Sequence, residues 1–477
     1  MEKTVSKPAL IVDLDGTLLQ SDILFETFWS ALGKSWKSPL RAVRSLLAGK
    51  AALKRQLAED GQITVSTLPY DPVVIAYVEK WRADGGTTAL VTASDEQIAK
   101  RIGEHLGIFD EVFGSDGAYN LKGANKAAFL KARYAVTGFA YMGDAKADLP
   151  VWAEAKRAIT VNIPAKLKSR VGTLSVDTEH LTTRPASIKP YLKALRPHQW
   201  LKNFLVFLPM LAAHQFGAAT LWQSFLAFAA FSMIASAGYV FNDLLDLASD
   251  RAHPRKCQRP FASGALPIAH GTWLGAGLLA VGFAIAGGLS SYLFLTLLAY
   301  FAVTMAYSLD IKRRMVVDIC TLAGLYTMRL VAGGVATGLP LSVWLMAFSI
   351  FFFLSLAAVK RQAELIDTAK RGKLSASGRG YMVDDLPIIS QVAISSGFVS
   401  VLVMALYVNS PAVTTLYSFP EAMWGICLIL LYWITRIVMM THRGWMHDDP
   451  VVFAAKDRVS QICGVAILIC ALGGALL

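Results

Sequence analysis

Ala9-Leu10-Ile11-Val12-Asp13-Leu14-Asp15-Gly16-Thr17 is the stretch on which the reading of the N-terminal half turns. Four apolar residues run into an acid, a second acid follows two positions later, and a glycine comes next. Such a run reads as a buried parallel strand opening into a loop. Similar strand-and-turn units recur at 87–94 (TTALVTAS), 139–144 (FAYMGD) and 158–163 (AITVNI), with helical patterns between them at 71–83 and 95–106. Alternation of this kind predicts a doubly wound α/β domain with its site at the carboxyl ends of the strands.

The polar residues fall at those ends. Asp13 and Asp15 leave the first strand, Thr92 and Ser94 end the second, Lys126 opens a helix after Lys122-Gly123, and Gly143-Asp144 ends a later strand with Asp148 close behind. Together they supply a carboxylate nucleophile, a carboxyl for proton transfer, a hydroxyl and an ammonium to hold a phosphoryl group, and acids for an oxygen-rich Mg²⁺ site. Over about residues 8–165 this order of motifs resembles the haloacid dehalogenase (HAD) superfamily. The resemblance implies Asp13 as the nucleophile that forms an aspartyl-phosphate and Asp15 as general acid/base. It implies phosphate contacts from Thr92 and Lys126, and Mg²⁺ held by Asp13, Asp15, Asp144 and Asp148. Residues 20–70 look mostly helical and are expected to form a small cap.

The second half has a different solvent. Hydrophobic residues make up 55% of the 477-residue chain and mean hydropathy is +0.46, which points to lipid around much of it. Net charge is +12, divided as +3 over residues 1–185 and +9 over 186–477. A basic excess on the more apolar half suits anionic headgroups or phosphorylated substrates, and no aromatic-basic pattern favours nucleic acid. The five cysteines form no CxxC and read as free thiols packed in helices. The N-terminus has no long apolar run and no small-residue cleavage site, so no signal peptide is expected.

The stretch 166–190, with Pro185 and Pro190, reads as a linker, and YLKALRPHQWLKNFLVF after it as an interfacial helix feeding the first span. Apolar runs near 204–213, 221–241, 272–289, 292–309, 317–338, 341–359, 388–408, 422–441 and 459–477 suggest about nine helices in an all-α transmembrane domain over 191–477. The loops 243–270, 310–314, 360–380 and 436–458 hold 4, 3, 6 and 4 Lys+Arg, whereas the alternate loops hold none. The positive-inside rule therefore puts the charged loops and the N-terminal domain in the cytosol, on a multi-pass inner membrane protein.

In the first charged loop, Asn242-Asp243-Leu244-Leu245-Asp246-Leu247-Ala248-Ser249-Asp250-Arg251 sets Asn242, Asp243, Asp246 and Asp250 on one helical face. Carboxylates gathered at a span end repel one another unless a cation joins them, and Mg²⁺ bridging a diphosphate is the usual resolution. Arg251, Arg255, Lys256 and Arg259 follow as candidate phosphate contacts.

This loop, with RPFASGALP after it, resembles the UbiA superfamily of intramembrane prenyltransferases, over about residues 190–477. In that family the motif N/D-D-x-x-D-x-x-x-D binds Mg²⁺-diphosphate, which implies metal ligation by Asp243, Asp246 and Asp250. Ordinary members carry a second Asp-rich motif after the sixth span. Here that loop reads Val359-Lys360-Arg361-Gln362-Ala363-Glu364-Leu365-Ile366-Asp367, and basic residues lead it. LRPHQWLKN (195–203), NDLLDLASDRAHPRK (242–256), YSLDIKRRMVVD (307–318), AVKRQAEL (358–365) and RGY (379–381) are similar to the polyprenyl-phosphate phosphoribosyltransferase branch. That resemblance implies transfer of 5-phosphoribose from PRPP to polyprenyl phosphate. PRPP and a lipid phosphate together need more cations than a prenyl diphosphate and an aromatic acceptor, and Lys312, Arg329, Lys360 and Arg361 supply them. Arg329 lies inside a span, where an unpaired guanidinium is costly. Tyr307 and Asp318 flank the same loop as further substrate contacts, and Asp310 reads as a local ion pair. The rival reading is transfer of a polyprenyl group from its diphosphate to an aromatic acceptor, with the HAD domain as accessory module. Lipid length and oligomeric state, a homo-oligomer included, stay open.

Overall fold

The computed structural model describes residues 7–476 apart from 36, 48, 117–118, 175, 186, 376–378 and 447–448. Among the described residues, six strands form one parallel sheet: β1 (Ala9–Val12), β2 (Thr88–Asp95), β3 (Glu111–Ser115), β4 (Phe139–Gly143), β5 (Arg157–Val161) and β6 (Asp177–Leu181), in the order β3-β2-β1-β4-β5-β6. The central strands are buried on both faces, which is why they read as unbroken apolar runs. The chain leaves β1 toward β2 on one side and returns to β4 on the other. The β1/β4 edge is therefore the topological switch point, where a crevice opens at the carboxyl ends.

Helices between the strands start where the sequence says they should. Asp22 caps Ile23–Lys34, accepting from the Leu24 amide at 2.8 Å; Asp71 caps Pro72–Ala83 and Asp95 caps Glu96–Leu106. Two further helices, Ser38–Leu47 and Lys50–Asp60, complete the mostly helical stretch between β1 and β2.

The stretch 166–190 is not a bare linker. Helix Ala165–Gly172 runs into it, and β6 inside it pairs in register with β5, Arg157 against Asp177 through Val161 against Leu181. Its sequence, DTEHL, carries no apolar alternation because it is an edge strand with its side chains partly in solvent. β3 was hidden for the same reason.

The chain divides into two compact units, 1–194 with 240–274, and 195–239 with 275–477. Residues 240–274 pack with the first unit through an apolar cluster containing Trp29, Val240, Leu244, Phe261 and Ile268. The Trp29 indole stacks on Phe241 at 5.4 Å and donates to Thr272 Oγ1 at 2.9 Å.

Among the described residues, eight helices are long and apolar enough to cross a membrane, from Ala218–Leu245 to Arg458–Ala475. The apolar run near 204–213 is not a ninth: it lies in a 3₁₀ segment, Pro197–Phe207, and a short helix, Leu208–Ala212. Large apolar side chains such as Trp273, Leu295, Leu428 and Ile469 stand exposed on these helices, as a lipid solvent requires.

Candidate active sites

The loop after β1 delivers Asp13 and Asp15 into the crevice. Lys126, buried on helix Ala124–Arg133, donates to Asp13 Oδ1 at 2.8 Å and to the Tyr141 hydroxyl at 2.9 Å. Tyr141 in turn donates to Asp148 Oδ1 at 2.9 Å, and the Ala145 amide holds the other Asp148 oxygen at 3.0 Å. Ligand oxygens of Asp13, Asp144 and Asp148 lie within 4.8 Å of one another. Gly16, at φ 75°, makes this packing feasible, since a Cβ there would collide with the Asp144 carboxylate.

Burial raises the carboxyls of this cluster: Asp15 to about 7, Asp148 to about 6, and Asp144 well above the usual range, with neighbouring acids adding to each. Buried oxygen donors that resist sharing their charges are a donor set for a hard divalent cation, so the residues present fit Mg²⁺. Asp15 is aimed by two bonds, accepting from Ser94 Oγ at 2.5 Å and from the Ile23 amide at 2.8 Å. Thr92 is fully buried and its hydroxyl accepts from the Ser94 amide at 3.0 Å; Ala93 and Ser94 line the crevice in its place. Tyr141 escaped the sequence reading. Its only signal is a lone hydroxyl in an apolar strand two residues before Gly143-Asp144.

The Asp-rich loop follows the first long apolar helix. Asp243 and Asp250 are 2% and 1% exposed, while Asn242 and Asp246 are half-buried. The Arg259 guanidinium lies between the two buried acids, 3.0 Å from Asp243 and 2.6 Å from Asp250. Burial raises the Asp250 carboxyl to about 6 even so. Among the described residues these acids do not close to ion-sharing distance as the Asp13 cluster does. Lys256 is exposed, and Arg251 is engaged by Glu26.

In the second unit, Arg329 is 4% exposed and has no carboxylate within 4 Å among the described residues. It donates to Asn203 Oδ1 at 2.9 Å and lies over the rings of Phe231, Tyr300 and Tyr326. Arg361 is fully buried and bound to both Asp318 and Glu364, with Tyr381 donating to Asp318 at 2.5 Å. Tyr307 accepts from Arg379 at 2.8 Å, Asp310 pairs with Arg314 at 2.7 Å, and Lys312 is buried beside them in sequence. Lys360 shares Asp449 with Lys202, at 3.3 and 2.6 Å. Neither Lys202 nor Asp449 stood out in the sequence, because the ion pair joins positions 247 residues apart.

A parallel sheet carrying a buried acid cluster, and a set of helices long and apolar enough to cross a membrane, define a two-part membrane enzyme. The chain belongs to the UbiA prenyltransferase family, whose family model matches residues 203–457, and the haloacid dehalogenase-like hydrolase model matches residues 10–152. It is a fusion of the two. The y4nM protein of Sinorhizobium fredii is 37% identical over 97% of this chain and 90% of its own length. A decaprenyl-phosphate phosphoribosyltransferase of Mycolicibacterium smegmatis is 33% identical over 58% of this chain and 89% of its own. A solved UbiA homolog from Archaeoglobus fulgidus, bound to GPP and Mg²⁺, covers 60% of this chain and 98% of its own at 17% identity and TM-score 0.45.

Proposed function

We propose that this enzyme transfers 5-phosphoribose from PRPP to a polyprenyl phosphate and then removes the 5-phosphate, yielding polyprenyl-phospho-ribose. In the first step a lipid phosphate oxygen attacks the anomeric carbon, the bond to the diphosphate breaks, and diphosphate leaves. Asp243, Asp246 and Asp250, with Asn242, would hold magnesium, which would supply charge neutralisation at the leaving diphosphate; Arg259 and Lys256 would contact its oxygens. Lys202, Lys312 and Lys360 carry the cationic charge that a lipid phosphate and a sugar phosphate require. In the second step Asp13 attacks the 5-phosphate and forms an aspartyl-phosphate while Asp15 protonates the leaving ribose oxygen; a water, giving its proton to Asp15, then attacks the phosphorus, breaks the bond to Asp13 and releases phosphate. Lys126 neutralises the phosphoryl oxygens, Ser94 and the Thr92 turn position Asp15, and Asp13, Asp144 and Asp148 would hold a second magnesium.

The name of the Mycolicibacterium relative supports the choice of substrates. The observation that carries the two-step reading is that the Asp13 cluster and the Asp-rich loop belong to one compact unit. A product that still bears a phosphate is made on the same compact unit as a centre fitted to remove one. The charged loops and the phosphatase face the cytosol in this reading, by the basic bias of alternate loops.

Detergent-purified protein incubated with Mg²⁺, labelled PRPP and polyprenyl phosphate should give the dephosphorylated lipid, and Asp13→Asn should accumulate the 5-phosphate form. Turnover of prenyl diphosphate with 4-hydroxybenzoate, and none of PRPP, would overturn the first step. An unchanged product from Asp13→Asn would overturn the second.

A further inference from the structure

The phosphatase crevice does not end at its acids. It opens into a cleft of about 890 Å³ that continues past β5 and β6 to Leu266, Pro267 and Ala269, at the start of the membrane-crossing helix Ile268–Leu289. The two ends of this cleft differ in charge. Asp13, Asp15, Asp22, Asp144 and Asp148, with Lys54, Lys122 and Lys126 among them, crowd one end, whereas the described lining residues that follow β5 and β6 include no acid and present Lys168 and Arg184. Neither of these cations has a carboxylate partner within 4 Å among the described residues.

Arg184 is held in place by side chains at the ends of β5 and β6. Asn162, at φ 53° at the end of β5, accepts through Oδ1 from the Thr183 amide at 2.8 Å and the Arg184 amide at 3.2 Å. Its Nδ2 donates to Thr183 Oγ1 at 2.7 Å, and that hydroxyl donates to Asp71 at 2.5 Å. The guanidinium itself donates to the Gly264 carbonyl at 3.1 Å, which leaves further N–H groups for a ligand. Burial disfavours its charge, the more distant Asp71 and Asp144 carboxylates offset that cost only in part, and an anion in the cleft would offset more of it.

Resting on the phosphatase reading above, we propose that Arg184 and Lys168 form a second anion-binding subsite, which takes the phosphodiester of a membrane-anchored sugar phosphate while its terminal phosphomonoester lies at Asp13. The substrate class is thus a lipid-linked sugar phosphate with two phosphate groups. The apolar wall at Leu266, Pro267 and Ala269 leads its lipid chain toward the membrane.

The test supplies substrate directly to the full-length protein. A synthetic short-chain prenyl-phospho-ribose 5-phosphate in phosphatidylcholine-detergent micelles is compared with ribose 5-phosphate, and released phosphate is measured. Arg184→Gln should raise KM for the lipid-linked substrate at least about tenfold, leave its kcat, and change ribose 5-phosphate hydrolysis by less than about twofold. Lys168→Gln, on a separate helix, should give the same split, and Arg184→Lys should restore part of it. Equal effects on both substrates, or none on either, would overturn the subsite. Replacing phosphatidylcholine by phosphatidylglycerol should leave KM unchanged; competition that Arg184→Gln abolishes would mean a headgroup site and also overturn it. Because no PRPP is present, a failed transferase reading would leave this result standing. A wild type that hydrolyses both substrates without the Arg184 split would defeat the subsite alone.

Discussion

Arg251 of the Asp-rich loop grips Glu26 of the helix after β1 with both arms of its guanidinium, at 2.6 and 3.1 Å. Both side chains are at most 7% exposed, and Ser21 Oγ donates to the same carboxylate at 2.6 Å. The sequence suggested that Arg251 contacts substrate phosphate; here its charge is committed inside the protein, and its Nε is taken by the Ala262 carbonyl. The pair ties the segment carrying Asp250 to the helix whose first amide, Ile23, holds Asp15.

Removing one partner of a buried pair leaves an uncompensated charge, at about 3–5 kcal/mol. Glu26→Ala should therefore lower the thermal unfolding temperature of the detergent-solubilised protein clearly, and Glu26→Gln by less. It should also slow both half-reactions, since the positions of Asp15 and Asp250 share this tie. A Glu26→Ala protein with unchanged unfolding and both activities intact would show that the ion pair holds nothing.

The Asp13 cluster sets stability against function. Burial and mutual repulsion push its carboxyls upward, so the cluster is a local cost until a cation joins it. Magnesium should raise the unfolding temperature, and chelation should lower it. Asp148→Asn removes one charge while its side-chain oxygen can still accept from the Ala145 amide. The variant should be more stable than wild type in chelator, respond less to magnesium, and lose phosphate release by at least about a hundredfold. Calorimetry with and without metal reads the first two, and a phosphate assay the third.

Arg259 occupies the space between Asp243 and Asp250 that a shared ion would take. For magnesium to bind there, the guanidinium must swing away, and a diphosphate oxygen is its natural next partner. Arg259→Ala should consequently lower transfer at least about tenfold without raising the magnesium concentration needed for half-maximal rate. An increased magnesium requirement would mean that Arg259 assembles the metal site and does not compete for it.

How much of this could be read beforehand depends on how local each signal is. The Asp13-to-Gly16 turn, the Gly143-Asp144 strand end and the 242–251 acids are short motifs carried within one element, and the structure places them at strand and helix ends. Lys126 was legible because it opens a helix. β3 and β6 were not, because edge strands lack the apolar runs that mark central ones. The partners of Arg251, Arg361 and Lys202 were equally hidden. A basic residue next to an acidic motif looks like a phosphate contact until the fold supplies Glu26 or Asp318. Span counting failed at 204–213 for a related reason: Pro197 and Pro209 bracket a stretch that is apolar but coils as a 3₁₀ segment, with Lys202 and Asn203 turned inward.

Asp449 is the residue that this hidden pairing brings forward. Its carboxylate is 7% exposed, accepts from Lys202 at 2.6 Å and from the Tyr326 hydroxyl at 3.1 Å, and lies 3.3 Å from Lys360. Burial works against its charge, but the two ammoniums outweigh that cost and hold the carboxyl well below the usual range. Burial, with Lys360 and Arg329 nearby, lowers the Lys202 ammonium to about 7, so Asp449 alone supports its charge poorly and a phosphate group beside the two lysines would favour the charged form. Asp449→Asn keeps the shape and the helix-capping bond to the Val451 amide while deleting the charge that holds both lysines. Transfer to polyprenyl phosphate should fall at least about tenfold, with KM for the lipid rising more than KM for PRPP. Ribose 5-phosphate hydrolysis, which uses the other unit, should be unchanged within about twofold. Should Asp449→Asn instead depress both activities together, the lysine pair is a structural brace, and the lipid phosphate is recognised elsewhere.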